Sequence, residues 1–203
     1  MTISIVLPVK NEPYLPRLQK HIRDYMKFVE SYEILVQKEL GLSTAVLYGV
    51  KNSNGESLVI MDADGSHNPK YIRKMVSKLN SYDIIVGSRY VKGGGTEDYF
   101  VRQLISRLFC KFTRTALGLK INDTMSGFIA FKKDVFKHLN LRPFGYKFAL
   151  EMMLKSKGKF KVYECPVFFE RRKMGHSKTG IMQGIRTLVF IFKLWLWRLW
   201  HES

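Results

Sequence analysis

Four short apolar runs, at residues 3–7, 33–36, 57–61 and 83–86, alternate with helix-like stretches at about 16–29, 42–51 and 69–79. Nothing in the chain constrains its fold more. Runs of four or five residues are strand length, and a return in the same direction needs a crossover of a dozen or more residues, usually a helix. The alternation therefore predicts a mostly parallel sheet flanked by helices. Ligands of such sheets bind beyond the carboxyl ends of the strands. Val9-Lys10-Asn11-Glu12, Asp62-Ala63-Asp64 and Gly87-Ser88-Arg89-Tyr90 each follow a run directly, so three polar clusters are expected on one edge.

The second cluster carries the most chemistry. Ser57-Leu58-Val59-Ile60-Met61 ends abruptly in two carboxylates one residue apart. Hard cations take carboxylate oxygens and share them with phosphates, so Asp62 and Asp64 read as a divalent-metal pair. The alternative is local: Asp64 caps the helix that Pro69 and Tyr71 would start.

Lys and Arg number 34 against 17 Asp and Glu, a formal charge of +17, which points to an anionic partner: nucleic acid, an acidic lipid surface or a phosphorylated substrate. With 203 residues, 46% of them hydrophobic, the chain has the size and composition of one globular domain and not of a disordered tail. The two cysteines, Cys110 and Cys165, lack partners at metal-ligand spacing. They read as core residues in a reduced, cytoplasmic setting. Residues 2–7 lack a basic leader and are broken by Pro8, so they read as a first strand and not as a signal peptide.

Gly93-Gly94-Gly95 reads as a mobile hinge before a helix at about 100–117 with basic residues at Arg102, Arg107, Lys111 and Arg114. Residues 185–200 differ in kind: rich in Leu, Val, Ile and Phe, they hold all 3 tryptophans and are punctuated by Arg186, Lys193 and Arg198. A spanning helix needs about 20 mostly apolar residues without such charges. The segment is therefore expected to lie in a membrane interface, where Trp and snorkelling cations are favoured. A core or dimer helix is the alternative. Nucleic acid is the weaker partner, because the tryptophans sit in this apolar stretch and do not alternate with Lys on a sheet.

Five segments in order, Val6-Leu7-Pro8-Val9-Lys10-Asn11-Glu12, Met61-Asp62-Ala63-Asp64-Gly65-Ser66-His67, Gly87-Ser88-Arg89-Tyr90, Asp123-Thr124-Met125-Ser126-Gly127-Phe128 and Phe169-Glu170-Arg171-Arg172-Lys173-Met174-Gly175-His176-Ser177-Lys178, together resemble family 2 glycosyltransferases. Within that family the chain is similar to the polyprenol (dolichol) phosphate mannosyltransferases. The resemblance implies a GT-A fold over 1–180, a C-terminal membrane-associating helix over 181–203, a nucleotide-sugar donor such as GDP-mannose, and Mg2+ or Mn2+. It implies inverting transfer to dolichyl phosphate at the cytoplasmic face of a membrane, by a peripheral or monotopic protein. By position, Pro8, Lys10 and Glu12 would line the nucleotide pocket, and Asp62 and Asp64 would bind metal and diphosphate. Arg89, Arg172, Ser177 and Lys178 would hold donor diphosphate or acceptor phosphate. Asp123, Ser126 and Glu151 would border sugar and acceptor, with Asp64, Asp123 and Arg89 at the reacting centre.

The residues also depart from the pattern. Relatives continue after the second strand into an acidic loop, a helix and a further strand, whereas here Val36-Gln37-Lys38-Glu39-Leu40 runs straight to Gly41-Leu42-Ser43-Thr44-Ala45. One βα segment is missing, and either the second strand pairs differently or the helix at Leu42 becomes the crossover. Ser66 stands where relatives often have Gln. A UDP-sugar-dependent enzyme, a nucleotidyltransferase and an inactive membrane-surface protein of the same fold are the competing readings.

Overall fold

The computed structural model describes residues 2–38, 41–141, 147–173 and 181–201. A six-stranded sheet runs in the order β2-β1-β3-β6-β4-β7. Its strands are β1 (Ile3–Pro8), β2 (Tyr32–Gln37), β3 (Ser57–Ile60), β4 (Ile84–Ser88), β6 (Ile129–Lys132) and β7 (Val162–Pro166). A two-stranded ribbon pairs β5 (Gly95–Thr96) with β8 (Phe168–Phe169). The helices are α1 (Leu15–Met26), α2 (Leu42–Lys51), α3 (Ile72–Lys78), α4 (Phe100–Leu117), α5 (Lys133–His138), α6 (Phe148–Lys155) and α7 (Ile181–His201).

Alternate strand residues face opposite layers, as a two-residue period requires. Ile3, Ile5, Leu7, Val59, Met61 and Ile85 pack against Leu18, Ile22 and Met26 of α1 and Ile72 and Met75 of α3. Val6, Leu58, Ile60, Ile84 and Val86 pack on the other side with Val46 and Val50 of α2 and with Leu150, Met153 and Leu154 of α6. Phe190, Ile191 and Leu194 of α7 belong to that second cluster, so α7 shares the core of the sheet.

The shortened connection resolves in one of the two ways expected. β2 pairs with β1 in parallel as an edge strand, and β1 pairs with β3 in parallel on its other side. The helix α2 lies in the crossover from β2 to β3. β6 runs antiparallel to both β3 and β4 and is inserted between them. Its four residues follow a polar stretch and give no alternation to read. The glycine segment forms a turn in which Gly94 N–H donates to Val91 O at 2.9 Å. A Cβ on Gly94 would stand 2.4 Å from Ser88 O, so only glycine fits there.

Candidate active site

β1, β3, β4 and β7 all end at one edge, and antiparallel β6 begins there, so the 123–128 turn joins the loops of the parallel strands. Asp62 and Asp64 leave β3 on this edge. Asp64 is 6% exposed, and its Oδ1 accepts from Ser66 N–H at 2.9 Å and from Ser66 Oγ at 2.6 Å. It caps no helix. The short 3-10 turn at Pro69–Tyr71 is capped by Asn68, whose side chain accepts from Lys70 N–H at 3.0 Å. Burial opposes the Asp64 charge, but the Ser66 hydrogen bonds and the Arg172 guanidinium outweigh it and hold the carboxyl below the usual aspartate range.

Arg172 arrives by backbone pairing. Lys173 N–H donates to Asp64 O and Glu170 N–H to Ser66 O, each at 3.0 Å, so the segment after β8 is laced to the Asp62–Ser66 turn. Gly65 has φ +84, and a Cβ there would meet the Lys173 and Tyr14 side chains at 2.7 and 2.8 Å. The lacing sets Arg172 Nη2 at 2.7 Å from Asp64 Oδ2 and Nη1 at 3.8 Å from Glu12 Oε2. Glu12 reaches this point because Asn11 turns the chain through a left-handed conformation, φ 52, which Asn tolerates better than most residues.

The Arg89 Nε and Nη2 donate to the two carboxylate oxygens of Asp123 at 2.8 Å each, and the Arg89 N–H donates at 3.0 Å. The guanidinium also lies over the rings of Tyr90 and Phe169 at 4.9 and 5.0 Å. Burial disfavours its charge, yet the Asp123 hydrogen bonds raise its pKa above the ordinary arginine value. Glu164 of β7 accepts from the Asn122 and Asp123 N–H groups at 2.8 and 3.0 Å and so fixes the turn from below. Ser126 Oγ donates to Gly87 O at 2.6 Å and accepts from Phe128 N–H at 3.2 Å, tying the same turn to β4.

Of the residues singled out from sequence, Glu12, Asp62, Asp64, Arg89, Asp123, Ser126 and Arg172 are brought to the edge. Pro8 is buried at the end of β1, and Lys10 stands exposed just beyond it. Glu151 lies inside α6, its Oε1 2.7 Å from Lys155 Nζ. Ser177 and Lys178 lie outside the described residues. Two further side chains belong to the site. His67 is 2% exposed and stacks on Phe128 at 4.9 Å. Its Nδ1 accepts from Asp62 N–H at 2.9 Å, and burial lowers its pKa, which keeps the ring neutral. Lys147, just before α6, donates to Met125 O at 3.4 Å. Burial and nearby Arg89 push its ammonium pKa down, while Asp62 and Asp123 pull it back.

The carboxylate pair suits a hard divalent cation. Asp62 is 42% exposed, and Gly127 faces it without a side chain, a Cβ there lying 3.6 Å from Asp62 Oδ2. Among the described residues no three His, Cys, Asp or Glu side chains gather. One or two carboxylates completed by water and substrate phosphates is the usual Mg2+ arrangement.

Known proteins show the same framework. The model of glycosyl transferase family 2 matches residues 16–139. A dolichol-phosphate mannosyltransferase of Pyrococcus furiosus is 41% identical over 164 residues, covering 79% of this chain and 46% of that protein. A polyprenol monophosphomannose synthase of Mycolicibacterium smegmatis is 32% identical over 146 residues, covering 69% of this chain and 54% of that protein. The chain thus spans about half the length of the curated relatives it matches. In fold, glucosyl-3-phosphoglycerate synthase of Mycobacterium tuberculosis, crystallised with Mn2+, UDP-glucose and phosphoglyceric acid, aligns at a TM-score of 0.72 with 18% identity, over 97% of this chain and 79% of that one. With the GT-A framework and the family match both in place, the chain belongs to glycosyl transferase family 2 and, within it, is similar to the polyprenol-phosphate mannosyltransferases.

Proposed function

We propose that this chain transfers a hexose, mannose from GDP-mannose, to the phosphate of a membrane polyprenol such as dolichyl phosphate, at the cytoplasmic face of the membrane. The observation that carries the reading is the Arg172 guanidinium 2.7 Å from Asp64, two residues beyond Asp62. A carboxylate pair and a fork-shaped cation at one point suit a metal-bound diphosphate leaving group. The names of the curated relatives supply mannose and the polyprenol phosphate.

A phosphate monoester is anionic at neutral pH and attacks the anomeric carbon without a strong general base. Its oxygen forms the new bond to C1 as the bond from C1 to the nucleoside diphosphate breaks, and the diphosphate leaves with the electron pair. Asp62 and Asp64 would hold Mg2+ or Mn2+, which neutralises charge developing on the leaving group. Arg172, held by Glu12 and Asp64, is placed to take phosphate oxygens. Arg89 and Asp123 fix the turn bordering the sugar.

α4 and α7 lie against each other and expose Phe100, Ile105, Leu108, Phe112, Phe192 and Trp200 among basic residues. Among the described residues no helix is long and apolar enough to cross a membrane. This pair of faces supports seating on a lipid surface. The test is lipid-extractable label from GDP-mannose, with UDP-glucose in parallel, on dolichyl phosphate in detergent with Mn2+. Asp64→Ala is expected to lose the label. Absence of transfer from both donors by folded wild type sinks the reading.

A further inference from the structure

We propose that Glu170 is a positioning residue of the site: through Asn68 on one side and Lys173 on the other, it holds Arg172 at the carboxylate pair. The proposal rests on the transfer reading above, in which Arg172 takes phosphate oxygens of the donor.

Arg172 needs an anchor besides its own ion pairs. Its Nη2 lies 2.7 Å from Asp64 Oδ2, and its Nη1 lies 3.8 Å from Glu12 Oε2, too far for a hydrogen bond. Asp64 is also one of the two carboxylates suited to a metal, so the partner that holds Arg172 most closely is one that a cation would share. What aims the guanidinium with the metal present or absent is the backbone beneath it. A group that binds a ligand is only as well placed as the contacts that support it.

Glu170 supplies that support with both carboxylate oxygens. Oε1 accepts from Asn68 Nδ2 at 2.5 Å, and Oε2 lies 2.8 Å from Lys173 Nζ. Asn68 is itself fixed, because its Oδ1 accepts from Lys70 N–H at 3.0 Å and its Nδ2 is thereby turned to Glu170. Lys173 passes over Gly65, where a Cβ would stand 2.7 Å from the Lys173 Cγ, so the glycine leaves room for the pair. Main-chain bonds from Glu170 and Lys173 to Ser66 and Asp64, each 3.0 Å, tie the segment to the same turn. Arg172 lies between these two tied residues. The other edge of the segment is held by Glu97, which accepts from Arg171 N–H at 2.8 Å, but Glu97 is exposed and belongs to the β5 side, not to the turn that carries Asp64. Burial opposes the Glu170 charge, yet the hydrogen bonds from Lys173 and Asn68 outweigh it and keep the carboxyl ionised. The Glu170 and Lys173 side chains are 23% and 44% exposed, so their pair adds little to global stability and its loss should leave the fold intact.

The experiment measures GDP binding in the presence of Mn2+ by calorimetry for wild type, Glu170→Ala, Glu170→Gln, Arg172→Gln and the double variant Glu170→Ala with Arg172→Gln, with thermal melts as the folding control. Glu170→Ala should weaken GDP binding by about tenfold, the scale on which outer partners of a site act. Glu170→Gln keeps an acceptor for Asn68 and should recover part of the loss. In the Arg172→Gln background the same Glu170→Ala change should alter affinity by no more than about twofold, because a residue that acts through another has nothing left to place. A second readout needs no ligand. The Arg172 Nε–H signal in nitrogen–proton correlation spectra, identified by its absence in Arg172→Gln, should shift and exchange faster with water in Glu170→Ala. Should Glu170→Ala not fold, Glu170→Gln carries both measurements, with a smaller loss and a shifted signal expected. Unchanged GDP affinity, losses that simply add in the double variant, or an unmoved Nε–H signal overturns the assignment and leaves the transfer reading standing. If folded wild type binds neither GDP nor UDP with Mn2+, the transfer reading falls, and the Nε–H signal alone decides whether Glu170 places Arg172.

Discussion

Arg89 and Asp123 form a two-pronged ion pair, with Nε and Nη2 each 2.8 Å from a carboxylate oxygen, between the end of β4 and the turn that opens β6. Asp123 is fully buried. Removing one partner of such a pair leaves the other charge uncompensated, at a cost of about 3–5 kcal/mol. Asp123→Asn should therefore lower the urea midpoint sharply. Combining it with Arg89→Met should return a large part of the loss, because the stranded charge is gone. Additive losses in the double variant would show that the pair is not coupled.

Arg172 is half-buried and acts through charge. Arg172→Gln should weaken GDP binding in the presence of Mn2+ by roughly tenfold to a hundredfold, read by calorimetry. Stability should move by no more than about 1 kcal/mol, since the side chain is 28% exposed. Arg172→Lys keeps the charge without the fork and should restore the affinity only in part.

Asp62 is the more exposed carboxylate of the metal pair, so Asp62→Asn should fold normally while losing Mn2+ affinity. Electron paramagnetic resonance of free Mn2+ reads the change directly. Transfer activity should vanish with EDTA and return with Mn2+ or Mg2+. Full activity in EDTA would remove the metal from the mechanism.

Edge strand β2 is held to the sheet partly by Glu33. Its carboxylate accepts from Ser4 Oγ at 2.5 Å, Asn54 N–H at 2.6 Å and Asn54 Nδ2 at 3.1 Å. Burial opposes the charge slightly, and these hydrogen bonds lower the pKa below the usual value of 4.5. A carboxyl lowered on folding contributes stability that is whole above its unfolded pKa and is lost as pH falls through the folded value. Urea midpoints of Glu33→Gln and wild type should differ at pH 7 and converge below about pH 4. A gap that is constant with pH would rule out the carboxylate as its source.

The exposed faces of α4 and α7 predict lipid binding. Phe192, 57% exposed, and Leu188, 44% exposed, lie on the outer side of α7. Leu188→Glu with Phe192→Glu should reduce flotation with anionic vesicles severalfold at unchanged melting temperature, through lost apolar burial. Equal flotation of variant and wild type would place the contact elsewhere.

Much of this molecule is legible along the chain, because local rules govern it. The runs at 3–7, 57–61 and 83–86 have strand length and hydrophobic character, and they are β1, β3 and β4 with no end displaced by more than two residues. α2 and α4 begin and end where the sequence pattern places them. Asp62 and Asp64 were visible as a pair for the same reason: two carboxylates at the end of an apolar run need no knowledge of distant residues.

What the sequence by itself determined is the parallel α/β framework and the edge at which its polar loops collect, because strand length, helical period and crossover length are properties of neighbouring residues. Tertiary structure alone decided which of those groups meet. β6, a four-residue strand, is inserted antiparallel between β3 and β4, and that pairing brings Asp123 to Arg89 and Gly127 to Asp62. Backbone bonds from Glu170 and Lys173 to Ser66 and Asp64 set Arg172 on the carboxylate pair. The same packing matched Arg89 to Asp123. Charge and burial of this kind depend on contacts between residues far apart in the chain, which no local pattern encodes.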